Sequence, residues 1–199
     1  MSYIGYVPAA KPLTSADITD GIITNADIAT TAAIATSKLG AGAVLQVVSV
    51  TKTDVFTASL NNSFADITDL SVSITPSSSS NKILIIAMIN YGNNSVYPAT
   101  LRLLRGSTHI CAGPAASNRQ SLTVSPQGKG DSDINRGMNN IISFLDSPST
   151  TSSTTYKIQG GILQSSGTFS VNTTGNDLDA VYMGRSASTI TVMEIKAWS

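Results

Sequence analysis

From Val44 onward the sequence is a succession of short apolar or alternating runs, each cut off by a cluster of Ser, Gly, Pro or Asn. That punctuation is the pattern of an all-β sandwich. About nine strands are expected: 44–53, 64–74, 82–90, 100–105, 108–112, 141–145, 154–159, 168–172 and 189–198. Two runs also report their surroundings. Leu70, Val72 and Ile74 alternate with Ser71, Ser73 and Thr75, which predicts a strand with one wet face. Lys82-Ile83-Leu84-Ile85-Ile86-Ala87-Met88 lacks that alternation and predicts a central strand buried on both faces. Pro76 with its four following serines, Tyr91-Gly92-Asn93-Asn94, Gly128-Lys129-Gly130 and the stretch after Pro148 read as turns that cap the ends of the sandwich.

The chain of 199 residues has room for one domain of about 150 residues plus an appendage. Only 12% of its residues are charged, and 12 basic residues balance 12 acidic ones without any basic run. Neither nucleic-acid phosphates nor anionic lipid is therefore an expected partner. The strongest apolar run, Ile83 to Ile89, is far shorter than the roughly 20 residues a bilayer span needs, so no membrane insertion is expected. The opening Met1-Ser2-Tyr3-Ile4-Gly5-Tyr6-Val7-Pro8 lacks the basic start and apolar stretch of a signal peptide, which predicts folding in a cytoplasm. Cys111 is the single cysteine, so stability must come from packing or from association between chains.

Residues 1 to 43 differ in character, with no Phe or Trp and much Ala, Thr, Ile, Asp and Gly. Residues 1–13 read as an extended peptide whose Tyr3, Ile4, Tyr6 and Val7 need an outside surface to bury against. From Thr14 a weak repeat follows, Ala16-Asp17-Ile18-Thr19, then Ala26-Asp27-Ile28-Ala29-Thr30, then Ala33-Ile34-Ala35-Thr36. Isoleucines at 18, 23, 28 and 34 fall five or six residues apart, which is neither a helical face nor strand alternation. Each turn offers one branched residue to a shared seam. Ordering a residue costs about 1–2 kcal/mol of backbone entropy and burying one isoleucine returns roughly 1.5–3 kcal/mol. One copy has almost no core to supply that return, so the segment is either disordered or ordered by sister chains or another partner.

Catalytic chemistry has no visible address. His109 and Cys111 sit one residue apart on an expected strand and offer two soft ligands to one face, too few for a metal site. Asp131, Asp133 and Asn135 resemble half of a calcium loop, but the bidentate glutamate that should follow is missing, and Glu194 is the only glutamate in the chain. No serine lies in a Gly-x-Ser-x-Gly turn, and His109 is the sole histidine available as a base. Gly128-Lys129-Gly130 and Gly160-Gly161 lack the strand, spacing and helix of a phosphate cradle and read as tight turns. Tyr91, Asn93, Asn94, Tyr97 and Arg102 lie in or beside expected loops, where rings and amides suit stacking on and hydrogen bonding to a sugar. Packing at an edge or subunit interface is the equal alternative. Trp198, on the last strand, is expected as a core or interface anchor.

Three stretches carry a resemblance. Met1-Ser2-Tyr3-Ile4-Gly5 with Pro8-Ala9 resembles the amino-terminal peptide of fibre proteins of tailed bacteriophages, particularly those infecting aquatic bacteria. Thr24-Asn25-Ala26-Asp27-Ile28 and Ala33-Ile34-Ala35-Thr36-Ser37-Lys38-Leu39 resemble the short shaft repeats that follow it. Leu70 to Pro76, Phe144 to Pro148 and Ile190 to Ile195 are similar to the carboxy-terminal module of those fibres. The resemblance implies a non-enzymatic virion protein working as a homotrimer without cofactors. Residues 1–13 would attach it to other virion proteins, with Tyr3, Ile4, Gly5, Tyr6, Val7 and Pro8 as contacts. Residues 14–43 would form a short trimeric neck with Ile18, Ile23, Ile28, Ile34 and Leu39 along its seam. Residues 44–199 would form a jelly-roll-like β-sandwich head turned towards host-surface glycan. This chain has almost no shaft between peptide and head, which keeps a head fibre or capsid decoration protein open as the alternative. A glycan-degrading spike would need a longer, repetitive β-helix.

Overall fold

A computed structural model describes residues 14–19, 21–29, 31–32, 34–35, 38–125 and 137–198. Its contacts divide the chain after Leu39. Among the described residues the larger unit holds eight strands: β1 (Val44–Lys52), β2 (Phe56–Ile74), β3 (Lys82–Asn93), β4 (Ala99–Arg105), β5 (Thr108–Ile110), β6 (Met138–Asp146), β7 (Thr154–Val171) and β8 (Ser188–Ile195). All pair antiparallel. β1, β8, β3 and β6 lie side by side in one layer, and β2, β7, β4 and β5 in the other. The order 1-8-3-6 against 2-7-4-5 is that of an eight-stranded jelly roll. The layers share one corner, where Tyr91, Gly92 and Asn93 at the end of β3 pair with Val171, Ser170 and Phe169 of β7.

Alternation builds the core. Leu70, Val72 and Ile74 point inward from β2, as the sequence predicts, and meet Ile83, Ile85, Ala87 and Ile89 from the opposite layer. β3 departs from expectation. Leu84, Ile86 and Met88 are not buried, because β3 has partners on both edges but no described residue lies above its outer face. The two strands expected at 154–159 and 168–172 are one strand, β7, and Gly160-Gly161 is no turn. A Cβ on Gly160 would fall 2.2 Å from the Phe169 ring, and one on Gly161 2.4 Å from the Phe64 ring. These glycines leave space for a ring on each face of the strand.

Two buried carboxylates tie the elements. Asp146 on β6 accepts both Arg105 Nη1 bonds at 2.9 Å from β4 and the Tyr156 hydroxyl at 2.7 Å from β7, so it joins the layers. Glu194 on β8 accepts from Ser77 N (2.7 Å), Ser77 Oγ (2.7 Å), Asn81 Nδ2 (2.6 Å) and Gln46 Nε2 (2.6 Å), pinning the β2–β3 loop to the sheet.

In the smaller unit the backbone turns every five residues: Asp17 N donates to Thr14 O, Ile22 N to Thr19 O, Asp27 N to Thr24 O, and Ala32 N to Ala29 O. Two of these turns carry a side-chain clasp. Asp17 accepts from both the amide (2.9 Å) and hydroxyl (2.6 Å) of Thr14, and Asp27 repeats this with Thr24 at 2.8 and 2.7 Å. Those bonds hold the Asp27 carboxyl below its ordinary pKa. Ile18, Ile23, Ile28 and Ile34 are exposed and Leu39 is half-buried. These turns thus leave their isoleucines exposed among the described residues.

Candidate functional site

The five residues expected to meet a ligand do not share one surface. Tyr91 and Asn93 lie inside, because β3 runs through the expected turn to the shared corner. Gly92 permits this path: a Cβ there would meet Gly175 N at 2.8 Å. The Tyr91 ring stacks on Phe169, centroids 5.8 Å apart, and its hydroxyl donates to Asn140 Oδ1 at 2.8 Å. Burial pushes that hydroxyl's pKa up to about 12. Asn93 Nδ2 donates to Tyr97 O at 2.6 Å. Both side chains are buried, unlike the exposed loop residues the sequence suggests.

Asn94 and Tyr97 are exposed where β3 ends. Asn94 Oδ1 accepts Thr168 N at 2.7 Å, which fixes one wall of an open groove of about 360 Å³ between Asn61 and Ser166. Tyr97 keeps 43% of its surface in solvent. Arg102 stands apart on β4. Its guanidinium carbon lies 3.5 Å from the centre of the Phe64 ring, and Nη2 donates to Gln120 Oε1 at 3.1 Å. Its Nε is buried with no hydrogen-bond partner among the described residues, and desolvation lowers its pKa. Beside it lies a cleft of about 580 Å³, lined by the amides of Asn62, Asn118, Gln120 and Gln164 with Arg119 and Leu122. Asn62 and Gln164 both hold left-handed backbone, φ 46° and 69°, at the bulge where β2 and β7 lose register between Asn61 and Ser63. Amides, one guanidinium and an aliphatic wall suit a neutral, hydroxyl-rich ligand and supply no acid–base pair. Sequence reasoning passed over this cleft. Its signals, the Asn61-Asn62 pair and Gln164 close before Gly167, are also turn signals.

His109 and Cys111 do not share a face. β5 ends at Ile110, and Cys111 follows with φ 52° and packs against the core. His109 Nε2 instead lies 3.1 Å from Thr123 Oγ1. Burial, then the Arg102 charge, lowers the pKa of His109, and burial raises that of Cys111. Among the described residues no three His, Cys, Asp or Glu side chains cluster as a metal site would require. Trp198 is no core anchor: β8 stops at Ile195, and the indole lies beside Gly42 with 70% of its surface exposed. Tyr3, Ile4, Gly5, Tyr6, Val7 and Pro8, the segment Gly128-Lys129-Gly130, and Asp131, Asp133 and Asn135 lie outside the described residues. No helix among the described residues is long and apolar enough to cross a membrane.

No family model and no curated protein matches the chain. Solved structures of infectious bursal disease virus VP2 do. A VP2 subviral particle is 13% identical at a TM-score of 0.32 over 77% of this chain and 42% of its own. Virus-derived T=1 particles are 11% identical at 0.34 over 76% and 36%. The chain therefore spans about two fifths or less of the VP2 chains it matches. At these scores the jelly-roll assignment rests on the strand order of the chain itself.

Proposed function

We propose that the chain is a virion structural protein, a homotrimeric fibre subunit of a tailed phage, made in the host cytoplasm and resident in the virion. The observation that carries this reading is the five-residue turn repeat, whose exposed isoleucines at 18, 23, 28 and 34 have no core of their own. A row of branched residues spaced five or six apart suits a seam shared by identical chains. The resemblance of residues 14–39 to phage shaft repeats, and of residues 1–9 to a fibre's attachment peptide, points the same way. Residues 1–13 dock to another virion protein, and three peptides on one trimer act together through effective concentration. The jelly roll is presented outward and binds host-surface glycan without turning it over. Asn94, Tyr97 and the amide cleft next to Arg102 are the contact regions, in place of Tyr91 and Asn93.

Sedimentation of the full-length protein should give a mass of three chains, and labelling intact particles with an antibody to this chain should decorate them. A stable monomer at micromolar concentration sinks the fibre reading, and unlabelled particles sink the virion reading. Deleting residues 1–13 should leave a folded trimer that no longer enters particles. Packaging at normal copy number would move the attachment site elsewhere.

A further inference from the structure

The two layers of the jelly roll show solvent very different outer faces. On the β2–β7–β4 side, Lys157 pairs with Asp66 at 2.6 Å, Gln159 joins the same carboxylate at 2.8 Å, and Ser73 meets Thr155 at 2.7 Å. That is an ordinary wetted sheet. The outer face of β6, β3, β8 and β1 is different. One row across it, set by strand register, is Leu145, Leu84, Met193 and Val47. Ile86, Ile141 and Met88 extend it, with Ser or Thr at the remaining positions of the next two rows. No charged side chain lies in these three rows. Ile141 is 69% exposed, Ile86 38% and Met88 37%, although the run from Ile83 to Met88 has the composition of a strand covered on both faces.

We infer that this face is covered by a second copy of the same chain, giving the heads an interface of their own. The inference rests on the proposed neck trimer, because size alone decides against an unattached partner. Strands ~4.8 Å apart and same-face residues ~6.8 Å apart give three rows on four strands an area on the order of 300–400 Å². Standard interfaces bury ~800 Å² on each partner. A face of half that size holds firmly only where the chains are already tethered, and tethering raises effective concentration. The tether is the chain itself: Val44 and Val47, both exposed on β1, directly follow the segment whose isoleucines are also uncovered. An uncharged face has nothing to offer a charged partner and meets its own copies without like-charge repulsion.

The test uses the full-length protein in three forms, each compared with wild type by sedimentation across a concentration series. Ile141→Lys with Leu145→Lys alters the β6 edge of the face. Val47→Lys alters the opposite edge and serves if the first variant fails to fold, and replacing Ile18, Ile23, Ile28 and Ile34 with Asn alters only the neck. Both face variants should keep the β-sheet circular dichroism signal and raise the half-dissociation concentration at least tenfold. Unchanged dissociation in folded face variants, with the neck variant falling apart, overturns the head interface and leaves the neck reading intact. Dissociation of the face variants with an intact neck variant does the reverse. Monomeric wild type at micromolar concentration removes both.

Discussion

The hydroxyl of Tyr156 donates to Asp146 across 2.7 Å in a buried seam where Arg105 holds the same carboxylate at 2.9 Å, so one side chain from each of three strands locks the two layers. Burial, with Asp146 as hydrogen-bond acceptor and neighbouring charge, keeps the phenol protonated far beyond its normal range. Tyr156→Phe removes a bond to a charged group and should cost about 1.5–3 kcal/mol, with Arg105 still holding the carboxylate. Arg105→Ala leaves that buried charge with only the phenol and should cost more, about 3–5 kcal/mol. Thermal melting of the two single variants and the double variant measures both, and additive losses would show that the three groups do not act as a unit.

Glu194 gives stability an acid limit. Burial disfavours its charge, but the bonds from Asn81, Gln46 and Ser77 outweigh burial and hold its pKa below the ordinary 4.5. The folded pKa is depressed, so the contribution is present above the unfolded value and is lost as pH falls through the folded one. Melting temperature should therefore drop below about pH 4.5, the ordinary value. In Glu194→Gln that part of the slope should vanish, with a loss of about 1–3 kcal/mol at neutral pH, because an amide cannot accept all four donors. An identical acid slope in the variant would assign it to other carboxylates.

Gly160→Ala sets a methyl group against the Phe169 ring, which has no room to retreat from its stack with Tyr91. Overpacking of this kind should cost about 1–3 kcal/mol. Gly160→Ala with Phe169→Leu should recover part of the loss in chemical denaturation, whereas no recovery would mean that the backbone rather than the ring sets the requirement.

Tyr91 and Tyr97 should separate stability from binding. Tyr91→Phe loses the bond to Asn140 and should melt earlier by about 1 kcal/mol with adsorption to host cells unchanged. Tyr97→Ala, at an exposed position, should melt within about 0.5 kcal/mol of wild type and weaken adsorption. Reduced adsorption in the first variant with none in the second would return the contact to the interior side of β3.

Where hydrophobic alternation and turn chemistry agree, the strands were legible: β1, β4 and β8 begin within one residue of expectation. β2 starts at Phe56 rather than Phe64, because the structure absorbs Asn61-Asn62-Ser63, residue types that also suit a turn, as a bulge inside a long strand. β7 was split for the same reason, since glycines that make room for aromatic rings are indistinguishable in sequence from glycines that bend the chain. The ligand surface was the least legible part. Tyr91 and Asn93 have the residue types of a binding loop, and only the tertiary pairing of β3 with β7 puts them inside. The amide cleft draws on four separate stretches of chain, so no local pattern announces it.

The short turns preceding the jelly roll have a modular consequence. Each begins five residues after the last at positions 14, 19, 24 and 29, and its bonds close within the turn itself. Length is therefore a separable variable: one unit of five residues inserted among these turns adds a turn and keeps Ile18, Ile23 and Ile28 in phase, while an insertion of two shifts all that follow. The segment is a ruler graduated in pentads, and evolution or design can set its reach without rewriting the domain it carries.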